Sequence, residues 1–239
     1  MSQSDLEALE RRLVLARDGH AQSPSRWIQV LRRWWISHAD ATAKRWLDIT
    51  ACGFALLLLS PFAVVLALAI RIEDRGPVLY WQKRVGLRGR VFDFPKFRSM
   101  RTDSDEIRKK LEQLNEHGSA GVTFKMENDP RITRIGRFIR KTSIDELPQL
   151  WSIFVGHMSL VGPRPALPQE VAQYTLSDRR RLEGIPGLTC IWQVSGRSQI
   201  PFHQQVELDV LYIETRSVFL DIELVFKTIP AVLFARGAS

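Results

Sequence analysis

The chain has 239 residues, 34 Lys and Arg against 26 Asp and Glu, and a formal net charge of +8. With 45% hydrophobic residues and a mean hydropathy of −0.12, it is neither a polytopic membrane protein nor a disordered chain. The charge suits an anionic partner, whether nucleic acid, anionic lipid or a phosphorylated substrate. Cys52 and Cys190 form no metal-ligand spacing and read as free thiols.

Met1 to Glu10 is acidic and polar, unlike a secretory leader. Arg26 to Trp35 mixes Arg with Trp, the composition of a helix lying in a membrane interface. Ile49 to Ile70 then gives 22 residues without a charge. As a helix this run would be about 33 Å long, against a bilayer core of about 30 Å. Ser60-Pro61 sits at its centre. Pro61 removes a backbone donor and presses on the Leu57 carbonyl, which predicts a kink, and Ser60 is placed to satisfy a freed carbonyl. Two geometries satisfy the run: a kinked spanning helix, or a segment that descends to mid-depth, turns at Ser60-Pro61 and returns. Basic residues flank both ends, with Lys44 and Arg45 before and Arg71, Arg75, Lys83 and Arg84 after.

Residues 78–82 and 91–94 read as strands around a Gly86/Gly89 turn. Thr102 to Glu116 reads as a charged helix and 117–130 as a loop. A helix is expected from near Ser143 to Phe154, then a turn-rich stretch over 156–168 and a polar helix over 169–183. Two closing helices follow, over 202–216 and 218–229. In the last, Phe219, Ile222, Phe226 and Ile229 share a face that suits either the core or a membrane. No βαβ alternation, G-x-G-x-x-G or Walker loop is present, which argues against a nucleotide-binding Rossmann domain.

Cations gather in two sets. One is Lys83, Arg84, Arg88, Arg90, Lys96, Arg98 and Arg101; the other is Arg131, Arg134, Arg137, Arg140 and Lys141. The second leads into Ser143-Ile144-Asp145-Glu146-Leu147-Pro148. Ser143-x-x-Glu146 has capping-box spacing, which gives the plain reading of a helix start. Pro148 resists that reading, because it would fall after the first turn. Adjacent carboxylates in irregular chain can divide labour, one attacking phosphorus and the other holding Mg²⁺ or moving a proton. Downstream, Pro163 and Pro165 limit where Arg164 can point. His157 reads as a surface or structural side chain.

These segments occur in an order that resembles the bacterial sugar transferases, the monotopic polyprenyl-phosphate phosphoglycosyl transferases. The matching stretches are Lys44-Arg45-x-x-Asp48, the run broken at Ser60-Pro61, Gly76-Pro77-Val78 with Gln82-Lys83-Arg84-Val85-Gly86, Lys96 to Met100, Asp129 to Gly136, Arg140 to Gln149 and Met158 to Pro165. The resemblance implies transfer of a sugar-1-phosphate, with a hexose expected, from a UDP-sugar to undecaprenyl phosphate. UMP is released and cell-surface polysaccharide synthesis begins. It implies Asp145 as the nucleophile that forms a phosphosugar intermediate, and Glu146 as its partner and Mg²⁺ ligand. Arg140, Arg164, Lys96 and Arg98 are the implied phosphate-binding residues. Pro186 to Arg197 is similar to members that start exopolysaccharide or O-antigen synthesis and commonly use UDP-glucose or UDP-galactose; Cys190 stands where that pattern has Gly.

The implied architecture is α+β and mainly helical. It has an interfacial extension (1–43), a re-entrant membrane helix hairpin (44–72) with Ser60 and Pro61 at its turn, amphipathic interfacial helices, and a small catalytic domain (73–239). That domain faces the cytoplasm at the inner leaflet of the cytoplasmic membrane. A homodimer is among the assemblies allowed, and nucleic acid is not an expected partner. The competing readings are a glycosyltransferase releasing UDP and a non-catalytic basic membrane adaptor.

Overall fold

The computed structural model describes residues 26–104, 107, 129–196 and 199–233, with side chains described between Ala41 and Pro230. The first 25 residues, the side chains of Arg26 to Trp35, nearly all of the expected charged helix after Thr102 and most of the 117–130 loop lie outside the described residues.

Helix α1 runs from Arg26 to Glu73 without a break through Ser60-Pro61. Proline inside a helix leaves the carbonyl four residues back without its donor. Here that carbonyl belongs to Leu57, and the Ser60 hydroxyl donates to it at 2.8 Å. The repair expected of Ser60 is present. The turn expected at Ser60-Pro61 does not interrupt the helix, because local compensation keeps the backbone helical across the proline.

Between Lys44 and Ile70 one face of α1 is seated on the rest of the protein. Cys52 is buried against Phe94, Leu150, Ile153 and Met158, with Ala55, Leu56 and Leu59 beside it. Past the proline, Leu66 and Ile70 are buried with Phe97 and Ile139, and Ala63 joins them. The three- and four-residue spacing of this stripe is that of a helix with one covered face. The other face exposes Phe54, Leu57, Leu58, Phe62, Val64, Val65, Leu68 and Ile72. By length and composition Ala41–Glu73 could cross a membrane.

Strands β1 (Leu79–Val85) and β2 (Val91–Phe97) form an antiparallel hairpin, longer than the sequence indicated. A 3-10 turn, Leu87–Gly89, joins them, with Arg88 and Gly89 at positive φ. Helix α2 (Arg134–Lys141) is backed onto the end of the hairpin. Gly136 makes that approach feasible, since a Cβ there would stand 1.9 Å from the Ser99 carbonyl oxygen. A 3-10 turn, Ile144–Glu146, follows, then helix α3 (Gln149–Val155). The expected helix start at Ser143 is therefore displaced to Gln149. Ser143 is left-handed (φ 56°) and makes no capping hydrogen bond, so the capping-box spacing is not used. Pro148, which resisted that reading, is the residue preceding the actual helix.

The turn-rich stretch contains strand β3 (Ser159–Val161), parallel to β4 (Gly187–Thr189). Between them lie helix α4 (Pro168–Val171) and a 3-10 turn, Asp178–Glu183, in place of one polar helix. Helices α5 (Ile191–Ser195), α6 (Phe202–Thr215) and α7 (Val218–Leu233) close the fold around Trp192, Leu208, Tyr212, Leu220 and Leu224. Cys190 is extended (φ −150°), so this position needs no glycine. On α7 the face of Phe219, Ile222, Phe226 and Ile229 is exposed and does not join the core.

Candidate active site

Asp145 and Glu146 occupy the 3-10 turn between α2 and α3, with Asp145 buried. The left-handed Ser143 before them is a non-glycine conformation that costs on the order of 1–3 kcal/mol and is typical of functional turns. Four elements bring cations to this turn. Strand β2 delivers Lys96, whose Nζ lies 2.8 Å from Glu146 Oε1 and 3.9 Å from Asp145 Oδ2. The loop after β3 delivers Arg164, with its guanidinium 3.8 Å from Glu146 Oε1. The last turn of α2 delivers Arg140, close enough for its charge to act on Asp145. Strand β1 delivers Arg84, whose charge acts on Glu146.

The two carboxyls differ in kind. Burial pushes Asp145 above the usual carboxylate range; Glu146 adds to this, while Lys96 and Arg140 oppose it. Burial also works against ionised Glu146, but Lys96, Arg164 and Arg84 outweigh it and hold the carboxyl below its ordinary value. Glu146 is therefore a firmly ionised anion in a cationic nest, and Asp145 is a desolvated carboxylate with one cation close by. Desolvation raises the nucleophilicity of an anion, and pairs with divergent environments are how one site divides chemical roles.

The backbone that presents Arg164 is fixed by close packing. A Cβ on Gly162 would meet the Ile185 carbonyl oxygen at 2.2 Å, so β3 and the segment before β4 touch backbone to backbone there. The Val85 amide donates to the Ala166 carbonyl at 2.8 Å, tying the end of β1 to the residues after Arg164.

Of the residues singled out from sequence, Asp145, Glu146, Lys96, Arg140 and Arg164 converge. Arg98 does not. It lies just past the end of β2, is buried, and turns to the loop after α1, where it donates to the Asp74 carbonyl and pairs with Asp74 Oδ2 at 3.3 Å. A phosphate-binding role is corrected to anchoring that loop: the strand ends at Phe97, and the acidic partner is in reach. Arg131 is likewise committed, to Asp129 at 2.5 Å. His157 is exposed, its ring 6.1 Å from that of Phe92.

Three contributions were not read from sequence. Arg84 belongs to the cationic cluster, although only its membership of a basic run was visible. Glu73 reaches across from the end of α1 to accept from the Arg134 and Ile135 amides at 2.7 and 3.0 Å, capping α2. Lys44 and Asp48 act as clips. Lys44 pairs with Asp221 at 2.5 Å, and the Asp48 carboxylate accepts from the Leu160 amide at 3.0 Å. The Lys44-Arg45-x-x-Asp48 pattern before the apolar run, one of the stretches that carried the resemblance, was the available signal.

A divalent cation is a reasonable guest here. No group of three His, Cys, Asp or Glu side chains able to hold a metal occurs among the described residues. Mg²⁺, however, is commonly held by one or two carboxylates together with substrate phosphates. Glu146 is ionised and uses Oε1 for Lys96 and Arg164, so its other oxygen fits that role.

Comparison with known proteins decides the family. The bacterial sugar transferase family matches residues 39–235. The chain belongs to this family. Among its relatives, galactosyl transferase CpsE of Streptococcus agalactiae is 48% identical over 84% of this chain and 44% of its own length. Exopolysaccharide production protein ExoY of Rhizobium meliloti is 40% identical over 82% of this chain and 88% of its own. Undecaprenyl-phosphate galactose phosphotransferase of Salmonella typhimurium is 42% identical over 82% of this chain and 41% of its own. The chain thus spans less than half the length of the first and third of these relatives and most of the second. The sugar transferase assignment was legible from the motif order, and the matched region coincides with it.

Proposed function

We propose that the protein transfers a hexose-1-phosphate from a UDP-sugar to undecaprenyl phosphate, starting assembly of a cell-surface polysaccharide. The observation that carries this reading is the Asp145-Glu146 turn, with one buried carboxylate and one cation-held carboxylate, Lys96 touching both, and Arg164 and Arg140 beside them. It is supported by family membership and by a relative named for phosphotransfer to undecaprenyl phosphate.

In this mechanism an Asp145 carboxylate oxygen attacks the sugar-bearing phosphorus. The bond from that phosphorus to the bridging oxygen breaks, and UMP leaves with the bond's electron pair. The sugar-1-phosphate is then an acyl phosphate on Asp145. An oxygen of undecaprenyl phosphate attacks the same phosphorus, the bond to Asp145 breaks, and the carboxylate is regenerated. Lys96, Arg140 and Arg164 stabilise charge on the transferred group. Mg²⁺, when bound at Glu146, supplies further charge neutralisation on the diphosphate. Two successive displacements at one phosphorus require only one nucleophile, which fits a site whose other carboxylate, Glu146, is held by Lys96 and Arg164.

The lipid substrate requires a site at the bilayer surface. We assign that role to the exposed apolar face of α1, with its segment entering and leaving the same leaflet of the cytoplasmic membrane and the catalytic residues on the cytoplasmic side. The support is that both ends of the run hold the same body, through Lys44 and Asp48 before it and through Ile70 and Glu73 after it. Because α1 is seated on that body on both sides of Ser60-Pro61, a helix crossing the membrane would carry the body itself into hydrocarbon.

The test uses purified protein, undecaprenyl phosphate, Mg²⁺ and a panel of UDP-sugars. UMP release by wild type, reduced by several orders of magnitude in Asp145→Asn, is expected. Release of UDP would instead support a sugar-only transferase, and full activity of Asp145→Asn would refute the nucleophile. Single cysteines placed before Ile49 and after Ile70 should label from the same side; labelling from opposite sides refutes the re-entrant attachment.

A further inference from the structure

Arg84 is held side-on in an unusual way. Its Nε and Nη2 donate to Gln82 Oε1 at 3.0 and 2.8 Å, and Nη1 donates to the Pro165 carbonyl at 3.1 Å. The guanidinium carbon lies 5.3 Å from the centre of the Phe94 ring, and Lys96 Nζ lies 5.4 Å from the same centre. All of these oxygen acceptors are neutral. Among the described residues no carboxylate forms an ion pair with Arg84, whereas Lys96 and Arg164 share Glu146. Burial, then the charge of Arg164, push the Arg84 guanidinium down to about 10, with Glu170 and Glu146 opposing. A guanidinium so placed is a charge lacking its counterion, kept in position by neutral bonds that leave two of its N–H donors free.

We propose that Arg84 and Arg164 together seat the second phosphate of the nucleotide-sugar diphosphate, the one that departs as nucleoside monophosphate. The proposal rests on the transfer reading above. Position separates the roles of the cations. Lys96 lies against both carboxylates and belongs with the phosphorus that Asp145 attacks. Arg84 pairs with neither carboxylate, and its charge acts on Glu146 less than those of Lys96 and Arg164, so it lies further from the nucleophile. A diphosphate stretched from Asp145 towards Arg84 would meet Lys96 and Arg164 near the carboxylates and Arg84 at its far end. Gln82 and the Pro165 carbonyl serve as positioning groups that fix the plane of the guanidinium, and the bridge between Val85 and Ala166 sets the end of β1 in register with the segment that carries Arg164.

The experiment titrates UMP, inorganic phosphate and uridine into the full-length protein in nanodiscs. Wild type, Arg84→Gln, Arg84→Lys, Gln82→Leu and Asp145→Asn are compared, each with its thermal midpoint and turnover. Arg84→Gln should weaken UMP and inorganic phosphate at least tenfold and leave uridine unchanged. Arg84→Lys should recover part of the loss. Gln82→Leu, which keeps the charge but frees it, should weaken UMP several-fold, and it carries the test if Arg84→Gln does not fold. UMP binding equal to wild type in folded Arg84→Gln, or in Gln82→Leu if it alone folds, overturns the proposed seat. If Asp145→Asn is inactive in that case, the transfer reading survives without it; if Asp145→Asn turns over normally, the transfer reading itself has failed.

Discussion

Replacing Lys44 by Met isolates the clip between α1 and the rest of the protein. The Lys44 ammonium lies 2.5 Å from Asp221 Oδ2, 3.0 Å from the Val161 carbonyl and 3.1 Å from the Tyr212 hydroxyl. The Tyr212 hydroxyl in turn lies 2.6 Å from Asp221 Oδ1. The Asp221 side chain is 1% exposed and that of Lys44 12%. At 2.5 Å the gross attraction is about 7 kcal/mol for an effective dielectric near 20, most of it offset by desolvation of the two ions. Removing one partner of such a pair costs about 3–5 kcal/mol, because the other charge stays buried. Lys44 retains some water contact, so the low end, about 3 kcal/mol, is expected. For a chain of this size that is a fall of about 6–12 °C in thermal midpoint. Lys44→Met with Asp221→Leu removes both charges and should recover most of the loss. The assay is thermal unfolding of the four proteins of this cycle in one nanodisc preparation. A Lys44→Met protein within about 0.5 kcal/mol of wild type, or a double variant as unstable as the sum of the singles, refutes the reasoning.

Three further outcomes are expected. Asp145 must be ionised to attack, and burial raises its pKa, so activity should fall as pH drops through a value above the ordinary carboxylate range. Lys96→Met removes the main opposing charge and should move that acid limb of kcat/KM to higher pH, read from UMP release against pH; an unmoved limb would mean that Lys96 does not tune Asp145. Gly162→Ala places a methyl on the Ile185 carbonyl and should cost about 1–3 kcal/mol or more, with loss of activity because Arg164 is two residues on; thermal midpoint and turnover report both. Ser60→Ala leaves the Leu57 carbonyl unpaired in an apolar setting and should cost about 1–3 kcal/mol, seen in the thermal midpoint in nanodiscs.

The order of motifs was enough to read the family, and much of the long-range geometry was not legible. Asp145 and Glu146 stood out because two adjacent carboxylates preceded a proline that no routine helix start would accept. Ser143-x-x-Glu146 misled because spacing says nothing of φ, and Ser143 is left-handed. Strands β3 and β4 were missed because three residues carry no period; they exist through a backbone contact between Gly162 and Gly187. Arg98 pairs with Asp74 and not with the Asp145 turn, since a basic run does not reveal which of its members finds an acid nearby. Glu73 and Lys44 act over separations of 61 and 177 residues, beyond the reach of any local pattern.

The seating of α1 bears on how the protein can be handled. Phe94, Ile153 and Met158 on one side of Ser60-Pro61, and Phe97 and Ile139 on the other, are covered in part by side chains of the apolar segment itself. A truncation starting after Glu73 would strip that cover, expose both clusters to water, and leave Asp221 without its cation and α2 without its acidic cap. The apolar helix is therefore a structural wall of the body that carries Asp145. Deleting it to obtain a more soluble protein would remove part of the interior beside the Asp145 turn.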